Sequence, residues 1–160
     1  MDYRKLLLSF IIVFAAAAVG SIFTSSAISG WYSQIAKPEF NPPNWVFGPV
    51  WTALYVLIAI SLYIIWDKKK EKSAKSKTEK GNAYIFFFIQ LALNALWSIV
   101  FFGLQSPLLG LVTIIPLLLF IMLTIREFWK ISRNASWLLV PYIIWCLFAT
   151  FLNYSIFVLN

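Results

Sequence analysis

The sequence predicts an all-α integral membrane protein, a bundle of five transmembrane helices with little chain outside the bilayer. The first observation is composition: 61% of the 160 residues are apolar and the mean hydropathy is +0.82, whereas soluble domains are about 45–50% apolar. The second is that the charged residues lie in short segments between long apolar stretches. Because a chain this short exposes much of its surface, an apolar surface on this scale requires lipid as its solvent.

Five apolar stretches are long enough to cross the hydrocarbon layer, which takes about 20 helical residues. They form a single membrane domain, 1–160, with helices predicted at 6–28, 44–66, 83–104, 107–128 and 137–159. The second and fourth helices follow Asn41-Pro42-Pro43 and Ser106-Pro107, where a proline in the first turn loses no hydrogen bond. Pro116 and Pro141 fall inside predicted helices and are expected to kink them. The first stretch also resembles a signal peptide, but it is longer than the usual 7–15 residues, which favours a retained helix.

The basic residues predict the orientation of the chain. If the helices alternate, twelve of the thirteen lysines and arginines lie on one side, and only Lys37 lies on the other. The positive-inside rule then predicts a cytoplasmic N-terminus in a plasma membrane of the bacterial type. The lysine-rich segment 67–82 is predicted to be a solvated loop that sets this orientation. Its alternative role is to bind anionic lipid headgroups, at about 1 kcal/mol per lysine. Basic residues placed in this way do not indicate nucleic-acid binding.

The residue inventory excludes several kinds of chemistry. The sequence has no histidine, and its one cysteine, Cys146, lies in an apolar stretch. All six acidic residues fall in predicted loops or at helix ends, so no carboxylate relay is expected at membrane depth. We find no nucleophile paired with a base, no cluster of metal ligands and no glycine-rich phosphate loop. No metal is expected, and no cofactor is expected to be required.

Aromatic residues make up 19% of the chain, and three tryptophans lie deep in different predicted helices. Each belongs to a helix face that combines polar groups with aromatic or small residues. These faces are Phe47, Trp51 and Tyr55; Gln90, Asn94, Trp97 and Phe101; and Pro141, Trp145, Ala149 and Asn153. All three should point inward. Two interpretations stay open, namely hydrogen bonds between helices, at about 0.6 kcal/mol each, and an aromatic cavity that binds a ligand.

Three blocks of residues carry a family resemblance. The first is Trp31-Tyr32, Lys37-Pro38, Pro42-Pro43, Trp45, Pro49, Trp51 and Leu54-Tyr55; the second runs from Gln90 through Asn94 and Trp97 to Phe101-Phe102-Gly103; the third is Pro141-Tyr142, Trp145, Phe148-Ala149-Thr150 and Leu152-Asn153-Tyr154. Together with the five-helix layout, these blocks resemble the TspO or translocator protein family over nearly the whole chain.

The resemblance implies a homodimer with a cavity inside each protomer, and a loop at 30–43 that folds over the cavity mouth. It implies protoporphyrin IX and other tetrapyrroles as ligands, together with benzodiazepine-site drugs. The implied lining is Tyr32, Phe47, Trp51, Tyr55, Gln90, Asn94, Trp97, Trp145, Phe148, Ala149 and Leu152. The sterol-recognition pattern of animal members is incomplete, because no basic residue follows Leu152 and Tyr154.

Three functions are compatible with the resemblance. The first is a receptor or sensor that binds porphyrins, and the second is light- and oxygen-dependent porphyrin breakdown with Trp51 and Trp145 as the catalytic residues. The third is transport of porphyrins or other hydrophobic small molecules, for which the lack of inward carboxylates disfavours ion coupling. The absence of histidine excludes histidine-ligated haem and favours a metal-free porphyrin.

A stripe of small residues, Ala16, Gly20 and Thr24, predicts close helix packing either within or between protomers.

Overall fold

The computed structural model describes residues 2–68 and 74–160 and confirms the predicted fold class, because it contains five helical spans long and apolar enough to cross a membrane. The long helices are α1 (Tyr3–Ser29), α3 (Asn44–Asp67), α4 (Ala74–Ser98), α5 (Pro107–Ile131) and α7 (Val140–Leu159). Two short helices, α2 (Trp31–Gln34) and α6 (Arg133–Leu138), precede α3 and α7. The protein is therefore a multi-pass membrane protein.

Successive long helices run in opposite directions, so the bundle has two distinct ends. At one end, which we call the basic end, Lys5 of α1 bonds to Asp67 of α3 over 3.3 Å. At the other, the loop end, Asn153 of α7 donates to the carbonyl of Pro107 in α5. Arg4, Arg126, Lys130 and Arg133 also belong to the basic end, whereas α2, residues 35–43 and Lys37 belong to the loop end.

The small residues of α1 pack within one protomer. A Cβ atom added to Gly20 would lie 3.1 Å from the hydroxyl of Ser98, so α1 and α4 approach closely there. A Cβ atom on Gly103 would lie only 2.7 Å from the ring of Phe23. Gly20, the middle residue of the small-residue stripe, therefore serves the contact between α1 and α4 within one protomer.

The start of α4 differs from the prediction. The helix begins at Ala74 instead of residue 83, so much of the predicted loop at 67–82 is helical. Lysine and glutamate are good helix formers, and a polar helix can extend beyond the bilayer into water. Residues 69–73 of that predicted loop lie outside the described part of the chain.

The other end of α4 continues into a π-helical turn, Ile99–Gly103, in which the amide of Leu104 bonds to the carbonyl of Ile99 over 2.9 Å. A π-helical turn holds one residue more than an α-helical turn. Phe101 and Phe102 are adjacent in the sequence, and both are buried.

The fifth span begins at Arg133 and is interrupted at Leu139, between α6 and α7. Pro141 lies in the first turn of α7, because proline cannot donate the backbone hydrogen bond that a continuous helix would need there. The expectation that Pro141 points inward is wrong, since this residue is exposed. By contrast, α5 runs through Pro116 without interruption.

Candidate ligand cavity

A cavity of about 500 Å³ lies between α1, α3, α4 and α7 towards the loop end of the bundle. This volume falls within the range of about 300–1,000 Å³ typical of small-molecule pockets. Ten of its 24 lining residues are aromatic: Phe14, Tyr32, Phe47, Trp51, Tyr55, Trp97, Phe101, Phe102, Trp145 and Phe148. Within the described part of the chain, no charged residue lines it.

The wall on α3 follows from helical periodicity. Phe47, Trp51 and Tyr55 are four residues apart and share one face. The rings of Trp51 and Tyr55 stack with centroids 5.6 Å apart and planes at 28°. The Trp51 ring also lies 6.3 Å from that of Trp97, so the aromatic surface continues from α3 onto α4.

The wall on α4 is held by hydrogen bonds to other helices. Trp97 stacks on Phe101 at 5.3 Å and 14°, and its indole nitrogen donates to the Asn153 side-chain oxygen over 3.3 Å. The amide nitrogen of Asn153 in turn donates to the carbonyl of Pro107 over 2.8 Å. One asparagine of α7 therefore orients a cavity tryptophan and connects α7 to the start of α5.

A chain of buried hydrogen bonds connects α3, α4 and α7. The hydroxyl of Tyr55 donates to Asn94 over 2.7 Å, Asn94 donates to the hydroxyl of Tyr142 over 3.1 Å, and that hydroxyl donates to Gln90 over 3.0 Å. Gln90 and Asn94 are each 1% exposed. Such bonds between side chains on different helices are a common way to join membrane helices.

The eleven residues expected to line the cavity therefore fall into two groups, those that line it and those that are buried between helices. Nine of them line it: Tyr32, Phe47, Trp51, Tyr55, Trp97, Trp145, Phe148, Ala149 and Leu152. Gln90 and Asn94 do not, because their side chains are buried against Tyr142 and, for Asn94, Tyr55. The two interpretations left open by the sequence both apply: Gln90 and Asn94 join helices, whereas Tyr55 and Trp97 line the cavity and also bond to other helices.

Two buried nitrogens have no hydrogen-bond partner among the described residues, Nε1 of Trp145 and Nε2 of Gln90. Only Trp145 lines the cavity, where its ring packs against those of Phe148 at 5.3 Å and Phe47 at 6.2 Å. A buried donor without a partner costs free energy. A ligand acceptor placed near this indole would remove that cost.

The loop end of the cavity is bounded by α2. Tyr32 lines the cavity, and its hydroxyl donates to Asn41 over 2.7 Å. Lys37 donates to the carbonyls of Tyr32 and Ile35 at 2.7 and 2.9 Å. Burial raises the pKa of Tyr32 to about 12, and the hydrogen bond with Asn41 opposes that rise. The phenol therefore stays protonated at physiological pH and remains a donor.

Sequence reasoning missed the contribution of α1 to the cavity. Phe14, Ala17, Ser21, Thr24 and Ile28 line it at spacings of three and four residues, which is one face of a helix. The hydroxyls of Ser21 and Thr24 within a predicted transmembrane helix were the available signal. Phe102 was also missed; it lies in the π-helical turn, and its ring is 4.8 Å from that of Phe101.

Among the described residues, the charged side chains and the thiol of Cys146 lie away from the cavity wall. Glu127 and Lys130 pair at 2.7 Å near the basic end, and Cys146 is buried. In the two described segments, no three histidine, cysteine, aspartate or glutamate side chains are grouped to hold a metal ion. The chemistry offered by the cavity is therefore aromatic stacking, apolar contact and hydrogen bonding from an indole.

Comparison with known proteins agrees with this architecture, since residues 9–159 match the TspO/MBR family. The chain belongs to this family. It is 48% identical to the tryptophan-rich protein TspO of Archaeoglobus fulgidus over 100% of this chain and 99% of that protein. Identity to the protein of the same name from Chlorobaculum tepidum is 44%, over 91% and 89% of the two chains. The human translocator protein is 34% identical over 86% of this chain and 79% of its own. The resemblance carried by the three sequence blocks is thereby confirmed.

Proposed function

We propose that the protein is a membrane receptor or sensor that binds porphyrin-like tetrapyrroles, such as protoporphyrin IX, and aromatic drugs of the benzodiazepine-site class. The observation that carries this proposal is the cavity itself, whose walls include aromatic rings from four long helices and α2. The names of two relatives, a tryptophan-rich sensory protein of Cereibacter sphaeroides and the human translocator protein, are compatible with it.

The chemistry of the cavity suits a flat, conjugated and largely apolar ligand. Stacking on an aromatic ring adds about 0.5–1.5 kcal/mol beyond the burial of apolar area. Trp51 and Trp145 present such rings from α3 and α7, and the unpartnered Nε1 of Trp145 can donate to a pyrrole nitrogen or a carbonyl. The propionates of a porphyrin cannot be buried among these rings without a partner, so they would remain near water or lipid headgroups.

The same two tryptophans support a second candidate, which is porphyrin breakdown with light as the energy source and molecular oxygen as the oxidant. Indoles oxidise easily, and both line the cavity. No histidine is present to hold an iron porphyrin, so a metal-free ring is the expected substrate. This candidate differs from simple binding because it requires the indoles to take part in the chemistry.

Transport of porphyrins is the third candidate, and it receives less support from the site. A buried carboxylate is present in Glu127, but it pairs with Lys130 near the basic end, so it is not placed to couple ligand movement to protons.

We also propose a plasma-membrane location with a cytoplasmic N-terminus, which rests on the concentration of basic residues at one end of the bundle. A homodimer is proposed as well, and it rests on the family resemblance.

Porphyrin titration in the dark tests the binding function. Protein in lipid nanodiscs is titrated with protoporphyrin IX, and porphyrin absorbance and tryptophan quenching are recorded for wild type, Trp51→Phe and Trp145→Phe. Each substitution should weaken binding by about tenfold, because a loss of about 1.4 kcal/mol corresponds to one decade. Trp137→Phe is the matched control, since Trp137 lies near the basic end and is 61% exposed.

Illumination of the same samples in air separates binding from breakdown. If breakdown is the function, wild type bleaches the porphyrin and forms a new product band, while the two variants stop that loss even at saturating porphyrin. If binding alone is the function, light and dark spectra agree. Normal affinity in both variants would contradict the assignment of this cavity as the binding site.

A further inference from the structure

Five residues line the cavity and are also exposed: Ala18, Ser21 and Ser25 on α1, and Gly48 and Thr52 on α3. All five are small. They lie where the cavity-lining face of each helix meets its exposed face, because the next exposed residues along the chain, such as Val19, Ile22 and Ala53, do not line the cavity. The cavity is therefore open sideways, between α1 and α3.

The contacts between α1 and α3 show where this opening begins. Lys5 bonds to Asp67 at the basic end, and the ring of Phe14 lies 6.3 Å from that of Tyr55. From this point towards the loop end, the two helices present the five small residues. A Cβ atom added to Gly48 would meet no atom within 4 Å, which is open space.

The hydroxyl groups around the opening need no external partner. Ser21 donates to the carbonyl of Ala18 over 2.9 Å, Ser25 donates to that of Ile22, and Thr52 donates to that of Gly48 over 2.9 Å. Each bond lies within its own helix, so the opening presents mainly methyl and methylene groups. Such a surface is compatible with lipid, where an unsatisfied polar group would be costly.

The opening also lies at the depth of the acyl chains. At a rise of about 1.5 Å per residue, Thr52 is about 12 Å along the axis from the start of α3, which is within a hydrocarbon layer of about 30 Å. The neighbouring side chains of Val19, Ile22 and Trp45 are 43%, 66% and 75% exposed, as expected for residues that face lipid.

The loop end, by contrast, is held together by several contacts. Tyr32 bonds to Asn41, Asn160 bonds to Ala36, and the rings of Phe40 and Phe151 stack 5.1 Å apart. Ligand passage at this end would require these contacts to break, whereas passage between α1 and α3 meets only small side chains.

We infer that the cavity exchanges its ligand directly with the bilayer through the opening between α1 and α3. The ligand reaches the opening dissolved among the acyl chains, and an acyl chain enters the opening when no ligand is bound. The identity of the ligand rests on the proposed function, but the opening to lipid does not.

The first test measures the rates of porphyrin exchange. Ser21→Phe and Thr52→Phe narrow the opening, whereas Ser26→Phe and Ala53→Phe add the same ring at neighbouring exposed positions that do not line the cavity. Liposomes loaded with protoporphyrin IX are mixed with proteoliposomes in darkness, and tryptophan quenching is followed. We expect association and dissociation both to slow by about tenfold in the first pair, which corresponds to about 1.4 kcal/mol on the barrier. The control pair should match wild type in both rates.

Two outcomes of this test overturn the inference. Wild-type rates in Ser21→Phe and Thr52→Phe would mean that the ligand takes another route. A weaker affinity with an unchanged association rate would mean that the added rings occupy the binding site and not the route to it.

The second test needs no porphyrin. Wild type and Trp51→Phe are reconstituted in bilayers of a phosphatidylcholine brominated on its acyl chains, and the difference in fluorescence quenching reports lipid contact with Trp51. We expect Trp51 to be quenched in wild type and less quenched in the Ser21→Phe background. In the Ser26→Phe background, quenching of Trp51 should equal that in wild type. Equal quenching of wild type and Trp51→Phe would overturn the inference even if porphyrin binds. If porphyrin does not bind but the expected quenching is observed, the proposed function fails and the opening to lipid stands.

Discussion

The side-chain amide of Asn160 pairs with both backbone groups of Ala36. Its oxygen accepts from the Ala36 amide at 3.0 Å, and its nitrogen donates to the Ala36 carbonyl at 3.0 Å. The same nitrogen donates to the carbonyl of Ile156 at 2.8 Å. The end of α7 is thereby tied to the segment that connects α2 to α3. Because two hydrogen bonds act together, this contact holds the loop more firmly than a single bond at an exposed site.

Asn160→Ala should therefore loosen the loop without changing ligand exchange. We expect the Ala36 amide to exchange with deuterium about five- to tenfold faster, since a lost hydrogen bond is worth about 1 kcal/mol. The porphyrin dissociation rate should remain at the wild-type value, because the route between α1 and α3 does not involve this contact. Ser155→Ala is the control, as its exposed hydroxyl bonds only to its own helix. A faster dissociation rate in Asn160→Ala would place the route at the loop end.

The buried hydrogen-bond chain makes Tyr142 more important for stability than Tyr55. Tyr142→Phe leaves Asn94 Nδ2 and Gln90 Oε1 without their partner, whereas Tyr55→Phe frees only Asn94 Oδ1. An unsatisfied buried polar atom costs about 1–3 kcal/mol, and bonds between membrane helices average about 0.6 kcal/mol.

We therefore expect Tyr142→Phe to lower the free energy of unfolding by about 2 kcal/mol and Tyr55→Phe by about 1 kcal/mol. Unfolding in mixed detergent micelles measures both changes. Tyr154→Phe, at a position that is 54% exposed, should have no effect. Equal losses of unfolding free energy for Tyr142→Phe and Tyr55→Phe would contradict the assignment of two buried hydrogen-bond partners to Tyr142 and one to Tyr55.

The fold was predictable because its signals are local. Apolar stretches of sufficient length and the position of the basic residues define the five helices. The spacing of Phe47, Trp51 and Tyr55 places three rings on one face without any knowledge of neighbouring helices.

The parts of the site that escaped prediction depend on contacts between distant segments. The partners of Gln90 and Asn94 lie on α3 and α7, so sequence alone could not separate amides that join helices from amides that face a ligand. Ser21 and Ser25 look the same in sequence whether they pack against a helix or border an opening. The pairing of Asn160 with Ala36 has no local signal at all.

Gly110 is expected to be intolerant of a side chain. A Cβ atom there would lie 2.5 Å from Oδ1 of Asn153 and 2.8 Å from the ring of Phe101. Asn153 cannot readily move, because it bonds to both Trp97 and the Pro107 carbonyl. Gly110→Ala should therefore cost about 1–3 kcal/mol through overpacking and disturb the Trp97 ring.

Gly81 provides the matched control for Gly110. It also lies in a helix, but a Cβ atom there would meet nothing within 4 Å. Gly81→Ala should stabilise the protein by about 0.5–1 kcal/mol, because alanine favours a helix over glycine. The two substitutions should therefore change the free energy of unfolding in opposite directions in the same measurement. A change in the same direction would contradict the packing described around Gly110.

The burial of the Tyr32 phenol predicts how the loop responds to pH. Burial raises the pKa of Tyr32 to about 12, from an ordinary value of about 10. The folded state therefore favours the protonated phenol, so its stabilising contribution is complete below about pH 10 and is lost as the pH rises towards 12. The difference in thermal stability between wild type and Tyr32→Phe should be constant from about pH 6 to 9 and shrink above about 10. A change within the lower range would mean that another group titrates near this hydroxyl.

The two ends of the bundle differ in charge strongly enough to predict which end faces the cytoplasm. Arg4, Lys5, Arg126, Lys130 and Arg133 belong to the basic end, and Lys37 lies at the loop end. Transferring basic segments outward across a plasma membrane is disfavoured, so we expect the basic end to face the cytoplasm.

Single cysteines at exposed positions test this orientation in a Cys146→Ser background, which removes the native thiol. Gln34→Cys lies at the loop end, and Asn134→Cys lies in α6 at the basic end; both positions are exposed. A membrane-impermeant maleimide should label Gln34→Cys in intact cells and Asn134→Cys only after the cells are opened. The reverse pattern would invert the orientation, and labelling of both from outside would show that the charge difference does not impose a single topology.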